Sequence, residues 1–555
     1  MKRFYYIIKD KVKRLQGGTM KIKPSWQDKV VYQIYPRSFM DSNGDGVGDL
    51  KGIISKLDYV KSLGVDVIWL SPVYASPNDD NGYDISDYKA IQPEFGTMND
   101  MDELIKEASL RGLKIIMDLV INHTSDEHPW FIASKDQSSP YRDYYIWQDK
   151  PNNWTSFFGG KAWDQSGDFY YLHLFSKKQP DLNWNNPKVL EEIQDVMRFW
   201  LNKGIYGFRC DVINIIYKSS LEDGKKRFVL VGREHYHSQE GMHDILKTLR
   251  KTVLDHYDTM TVGETVLVNT NQANDLILPE RKELDMVFGF EHMETDQINN
   301  KWFRTKFRPT KFIKVLVKWQ KEVYWNANYL ENHDQQRSVS RFGNDQKYHK
   351  ESAKMLALLN LTLKGTPYIY QGEEIGMTNG DFTSLEEFRD VETHRIIELA
   401  KKLHFPKWFQ QRMLRLSSRD HARTPMQWTK EGGFTEGNPW IKVNSNTKTI
   451  NVDRALSDKS SILYFYRELI ALRKSYACLR YGNFEVMYAK RGLLIFRRKD
   501  KEDSFVTVIN MTKKTMKFPL HLDGNIIMKN YDEMKFNYLQ PYECRLIKEI
   551  AHDSK

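Results

Sequence analysis

Four carboxylates stand where a folding chain normally avoids them. Asp118 and Asp211 lie in the later part of apolar, β-like runs, Glu264 ends one and Asp334 directly follows one, and a buried carboxylate is costly unless it is paired or used. One such residue is most simply a satisfied core acid. Four of them, at the ends of separate runs, favour a shared site. Opposed carboxyls suit acetal chemistry. One protonates a leaving oxygen, another attacks the anomeric carbon or activates water, and a third holds hydroxyls or the developing positive charge. Tyr83-Asp84, Asn122-His123, Arg209 and His333 stand at the same run ends.

These groups need a frame that gathers them. The β-like runs are 30–35, 65–72, 113–122, 207–212, 260–264, 284–291, 326–333 and 366–371. Amphipathic helical patterns lie between them, at 53–63, 101–110, 187–201, 242–257, 312–323 and 350–363. Eight strands alternating with helices predict an α/β fold, a closed parallel (β/α)8 TIM barrel, with chemistry at the C-terminal strand ends. The barrel is expected from 20–123 and 185–477. Residues 124–184, rich in Trp, Tyr, Asn, Asp and Ser, form an inserted domain, since so long a connection is normally functional. Residues 478–555 read as a C-terminal antiparallel β-domain.

Composition narrows the function classes. The 555 residues are 40% hydrophobic and 28% charged, with a mean hydropathy of −0.62, which is ordinary for a globular protein. No apolar run is long enough to span a membrane. Three scattered cysteines, Cys210, Cys478 and Cys544, exclude a disulfide scaffold and predict a cytoplasmic protein. The formal charge is +10, yet Lys2, Arg3, Lys9, Lys11, Lys13 and Arg14 against Asp10 put +5 of it in residues 1–19. A nucleic-acid partner is therefore not expected. That leader has too short an apolar core for a secretory signal. A basic amphipathic anchor is the second reading. The third is that Gln16-Gly17-Gly18-Thr19 encodes a ribosome-binding sequence and the natural chain begins at Met20.

Several motifs carry a family resemblance. Asp118-Leu-Val-Ile-Asn-His123, Gly207-Phe-Arg-Cys-Asp211, Thr261-Val-Gly-Glu264 and Asn332-His-Asp334 resemble, in order, four signatures of glycoside hydrolase family 13, the α-amylase family. Val31-Tyr-Gln-Ile-Tyr-Pro-Arg-Ser-Phe39, Gln179-Pro-Asp-Leu-Asn-Trp184, the 365–376 stretch and Ala422-Arg-Thr-Pro-Met-Gln-Trp428 resemble its oligo-1,6-glucosidase and α-glucosidase branch. The resemblance implies Asp211 as nucleophile, Glu264 as general acid and base, Asp334 as the third carboxylate, and Arg209 beside Asp211, keeping it ionised because a nearby cation lowers a carboxylate pKa. His123 and His333 would bind the same sugar, Asp84 and Arg423 would close the non-reducing end, and Tyr83, Phe158 and Phe175 would stack. Val212, directly after the nucleophile, goes with α-1,6 linkages in that branch, and 290–293 points the same way. The implied substrate is a short isomaltose- or panose-type oligosaccharide, cleaved with retention by a monomer that needs no organic cofactor. Trehalose-6-phosphate hydrolysis and sucrose- or α-1,4-acting transglycosylation are the alternatives. A non-catalytic transporter heavy chain is excluded by the intact acids and the missing membrane span.

The sequence departs from the branch at Cys210, Glu331, Gln336, Lys161 and His421. Glu331 and Lys161 are expected to add charge near the pocket. His235 and His237, in the unusual 232–241 segment, read as surface histidines rather than metal ligands. Asp41, Asn43, Asp45, the Val47 carbonyl and Asp49 occupy positions 1, 3, 5, 7 and 9 of a loop that begins like an EF-hand, but Gly52 stands where the bidentate Glu belongs. The family carries a similar loop, which implies a structural calcium ion. An Asp/Asn/Gly turn without metal is the other reading.

Overall fold

A computed structural model describes residues 25–535 and 537–550. The basic leader and the expected start at Met20 lie outside them. The barrel strands are β1 (Val31–Ile34), β2 (Val67–Leu70), β3 (Lys114–Leu119), β4 (Gly207–Cys210), β5 (Met260–Glu264), β6 (Met286–Phe288), β7 (Ala327–Asn328) and β8 (Thr366–Tyr370). They pair in parallel in the order β6-β5-β4-β3-β2-β1-β8-β7. A parallel bridge from Val287 to Asn326 joins β6 to the entry of β7 and closes the ring. β1, β2 and β4–β8 are buried throughout, as strands covered on both faces must be.

The observed elements are shorter or earlier than the sequence patterns in instructive places. The run at 326–333 leaves the ladder after Asn328, so residues 329–334 form a loop over the rim. One helix expected over 53–63 is two, Leu50–Ser55 and Leu57–Ser62. The Ser55 hydroxyl bonds the Gly52 carbonyl at 2.7 Å and competes with the helical ladder. Helix Met98–Leu110 starts three residues before its apolar pattern because Thr97 and Asp100 form a capping box.

Residues 124–184 contain a three-stranded antiparallel sheet (Trp147–Gln148, Trp163–Ser166, Phe169–Leu172) and one short helix, Pro129–Ser134. The loops after β4 and β8 are also long. The second carries helices Val391–Lys402 and Lys407–Ser417, which no sequence pattern singled out. Five antiparallel strands between Asn483 and Glu549 form the C-terminal sheet. Arg498, fully buried, ties it to the barrel by donating to the Thr362 carbonyl at 2.7 Å.

Candidate active site

Register explains the centre of the site. Asp118 on β3 and Arg209 on β4 are paired positions, so in a parallel sheet both side chains enter the barrel together. β4 begins at Gly207, where a Cβ would lie 1.9 Å from the Met260 carbonyl oxygen, so only glycine admits the close strand contact. Arg209 then bridges three acids. Its Nη1 donates to Asp118 at 2.6 Å and also to Asp211, and its Nη2 meets Glu264 at 2.8 Å. Trp69 Nε1 donates to the other oxygen of Asp118 at 2.6 Å. A lone buried cation would be costly; here it is held by carboxylates on two sides.

The chain after Asp211 is strained. Val212 adopts φ +35°, ψ +39°, a left-handed conformation that β-branched residues avoid. It turns the Val212 amide toward Glu264, to which it donates at 3.2 Å. Val212 belongs to an apolar cluster with Ile146, Trp154 and Leu174 of the inserted segment. The residue after the expected nucleophile therefore packs against the insertion.

Burial separates the acids in proton affinity. It pushes Glu264 up to about 7, aided by the negative charges of Asp211 and Asp334 and opposed by Arg209. It pushes Asp211 up to about 6, again against Arg209. The expectation that Arg209 keeps Asp211 ionised thus holds only against a larger desolvation cost. Asp334 behaves oppositely. Burial raises it, but His333, Arg419 and Arg423 together hold it well below the usual carboxylate range.

The Asp334 partners come from distant parts of the chain. Arg423 Nη2 donates to it at 2.8 Å, Arg419 Nη1 at 3.2 Å, and His333 Nε2 lies 3.1 Å away. Gln33 Nε2, which can only donate, sits 2.7 Å from His333 Nδ1. The imidazole hydrogen is therefore on Nε2, which also lies 2.7 Å from the Tyr83 hydroxyl. Tyr83 reaches on toward Asp118 at 3.4 Å, so it links the Asp334 and Arg209 groups.

One expected pairing is replaced. Asp84 does not meet Arg423; its carboxylate accepts the Asp79 and Asp80 amides, and burial pushes it up to about 6. The ion pair instead joins Asp80 to Arg419 at 2.9 Å, with Asp390 also bound to Arg419. The 78–82 turn sets this, because it carries Asp80 to the buried Arg419 while Asp84 folds back to anchor the turn's amides. Gln33, Asp80, Asp390 and Arg419 were therefore missed from the sequence. The one available signal was Arg419 and Arg423 at a four-residue spacing.

His123 donates from Nε2 to the Tyr83 carbonyl at 3.1 Å, and its ring lies 5.2 Å from Phe175. Phe158 sits edge-on to Phe175 at 5.6 Å and under the Arg419 guanidinium at 5.6 Å. Both phenylalanines are half-buried at the rim. Glu331 does not add charge to this pocket. It is buried, paired with Arg337 at 3.0 Å, and accepts the Ser338 amide. Lys161 is exposed at the outer edge. His235 bonds Ser220 and stacks on Trp154, while His237 bonds the Val266 carbonyl, so both are half-buried packing residues.

The 41–49 loop packs on the 434–440 segment, the Asp41 amide donating to the Phe434 carbonyl at 3.0 Å and the Trp440 amide to the Gly46 carbonyl at 2.9 Å. Asp41 accepts the Asn43, Gly44 and Gly46 amides and the Thr435 hydroxyl; Asp49 accepts Ser42 and caps the next helix at Gly52. Among the described residues no group of three or more His, Cys, Asp or Glu side chains gathers as a metal cluster. The loop's donors are all oxygen, which is the chemistry calcium takes. No helix is long and apolar enough to cross a membrane among the described residues.

Comparison with known proteins agrees with this geometry. Residues 33–482 match the family model "Alpha amylase, catalytic domain". The chain is 49% identical to the oligo-1,6-glucosidase of Parageobacillus thermoglucosidasius, over 94% of this chain and 98% of that protein. It superposes on the trehalose-6-phosphate hydrolase of Bacillus licheniformis with a TM-score of 0.91 at 42% identity, covering 95% and 100% of the two chains. It also superposes on the isomaltulose synthase of Erwinia rhapontici with a TM-score of 0.91 at 38% identity, over 95% and 100%. With its acids at the C-terminal ends of a closed parallel barrel, the chain belongs to glycoside hydrolase family 13, the α-amylase family, and is a glycoside hydrolase of α-glucosidase type.

Proposed function

We propose that the protein is a retaining α-glucosidase that removes α-1,6-linked glucose from the non-reducing end of short oligosaccharides of the isomaltose and panose type. The observation that carries the reading is Arg209 held between Asp211 and Glu264 at the ends of two neighbouring barrel strands. Glu264 gives its proton to the glycosidic oxygen as the Asp211 carboxylate attacks the anomeric carbon and the glycosidic bond breaks. Water then attacks the glucosyl ester, losing a proton to Glu264, and Asp211 leaves as a carboxylate.

Asp334, ionised by its cationic partners, is suited to hold sugar hydroxyls and the developing charge. His123, His333 and Tyr83 line the same space, with Phe158 and Phe175 as its apolar walls. The Asp80–Arg419 pair, rather than Asp84 with Arg423, is suited to close the non-reducing end. Val212 supports the α-1,6 preference through the family resemblance, and the full-length likeness to oligo-1,6-glucosidases supports it independently. The three buried free cysteines suit a reducing cytosol. The oxygen donors Asp41, Asn43, Asp45, Val47 and Asp49 would hold a structural calcium ion.

A time-resolved NMR assay tests this reading with isomaltose, panose, maltose, sucrose and trehalose 6-phosphate. Fastest cleavage of isomaltose with α-glucose appearing first is expected. Initial release of β-glucose, or faster turnover of maltose or sucrose, contradicts it.

A further inference from the structure

The loops that follow Asp211 and Glu264 are tied to each other. Asn214, fully buried, turns its carboxamide onto the backbone of Val266. Its Oδ1 accepts the Val266 amide at 2.9 Å, and its Nδ2 donates to the Val266 carbonyl at 2.9 Å. That is the exchange two antiparallel strands make, built here from one side chain. The unusual 232–241 segment supplies a third tie. His237 Nε2 lies 3.0 Å from the same Val266 carbonyl, which can only accept, so the imidazole hydrogen is on Nε2. Both lone pairs of that carbonyl are then used, one by Asn214 and one by His237.

The histidine is itself held in place. Its amide donates to the Arg233 carbonyl at 2.9 Å, and its carbonyl accepts Gln239 Nε2 at 3.0 Å. The Ser238 amide donates to the Asn214 carbonyl at 2.7 Å. What these ties hold is strained. Leu267, directly after Val266, sits at φ +58° and is 40% exposed. A leucine avoids the left-handed region and stays there only while its surroundings over-determine it. Val266, Phe157 and Phe175 all pack against the apolar cluster that contains Val212. The turn after the acid therefore shares a wall with the residue after the nucleophile.

We propose that His237 is a positioning residue: through the Val266 carbonyl it fixes the 266–267 turn as a wall on the leaving-group side of the site, and so sets which glycosidic linkage fits. The proposal rests on the reading of Glu264 as the acid. The leaving sugar lies beyond the oxygen that Glu264 protonates, and this turn is the chain that follows Glu264. Thr265, between them, is fixed to the barrel by its hydroxyl, which donates to the Phe288 carbonyl at 2.9 Å. Freeing Val266 therefore shifts the wall and leaves Glu264 where it is.

The test uses the full chain with His237→Phe, which keeps a ring and loses the donor, and His237→Gln, whose carboxamide can donate to the same carbonyl. The quantity read is kcat/KM on isomaltose divided by kcat/KM on maltose, with melting temperature as the check on folding. His237→Phe should move that ratio toward unity by about two- to tenfold, the weight of one hydrogen bond, and chiefly through KM. His237→Ala removes the donor without adding a ring and should act in the same direction. His237→Gln should keep the ratio within about twofold of wild type. In a Leu267→Gly background, where the left-handed turn carries no penalty, His237→Phe should change the ratio by less than about twofold. A folded His237→Phe or His237→Ala enzyme with an unchanged ratio overturns the proposal, because a merely structural role lowers both substrates together. A loss in His237→Gln equal to that in His237→Phe overturns it too, as does an undiminished loss in the Leu267→Gly background. A wild-type preference for maltose would count against the α-1,6 reading alone, since movement of the ratio toward unity still reports on His237.

Discussion

Replacing Asp118 by asparagine separates the electrostatics of the acid cluster from its shape. Asp118 is fully buried, and it shares Arg209 Nη1 with Asp211. Their oxygens therefore lie within about 5 Å, where Coulomb's law at an effective dielectric near 20 gives roughly 3 kcal/mol of repulsion. At about 1.4 kcal/mol per pKa unit, full removal would lower Asp211 by about two units. Asp118 is itself pushed up to about 6 by burial, so near that pH it carries only about half its charge and the expected shift is about one unit. The carboxamide introduced by Asp118→Asn still offers Trp69 an acceptor, which keeps the site folded. The assay is kcat/KM against pH on isomaltose, with melting temperature as a check on folding. The acid limb, set by ionisation of Asp211, should move down by about one unit. A folded variant that loses activity equally at all pH values, or whose acid limb stays fixed or rises, refutes the idea that the two carboxylates compete for one guanidinium.

The same proton ordering gives the wild-type enzyme a narrow bell. Activity should fall below about pH 6 as Asp211 takes up a proton and above about pH 7 as Glu264 loses one; a flat profile from about pH 5 to 8.5 would contradict the assignment. Glu264→Gln should lower kcat on isomaltose by about 10²–10⁴-fold, but far less on an aryl glucoside whose leaving group needs no proton, and equal losses on both would remove Glu264 as the acid. Glu331→Ala should destabilise the fold by about 3–5 kcal/mol in denaturant titration, because it strips the buried Arg337 of its carboxylate; an unchanged midpoint would show that the pair is dispensable. Chelation should lower the melting temperature by a few degrees and added calcium restore it, and a superimposable melt in both conditions would argue against an ion in the 41–49 loop.

Local chemistry decided much of this in advance. Apolar runs and helical periods fall on the barrel elements because strands buried on both faces must be continuously hydrophobic. Acids at the ends of such runs stand out for the same reason, since desolvation makes them rare without a purpose. The Thr97 capping box was equally local, and only its absence from the apolar pattern misplaced a helix start. Tertiary structure decided who meets whom. Arg419 reaches Asp80 across 339 positions, while Asp84 bonds the turn before it. Glu331 looked like added charge in the pocket and is an internal partner of Arg337, six residues on. The cleft beside Phe158 and Phe175 exists because the inserted segment and helix Val391–Lys402 face each other. Residue type and spacing report which groups are costly to bury. Which cation relieves each one is settled only when the barrel closes and excludes water from between them.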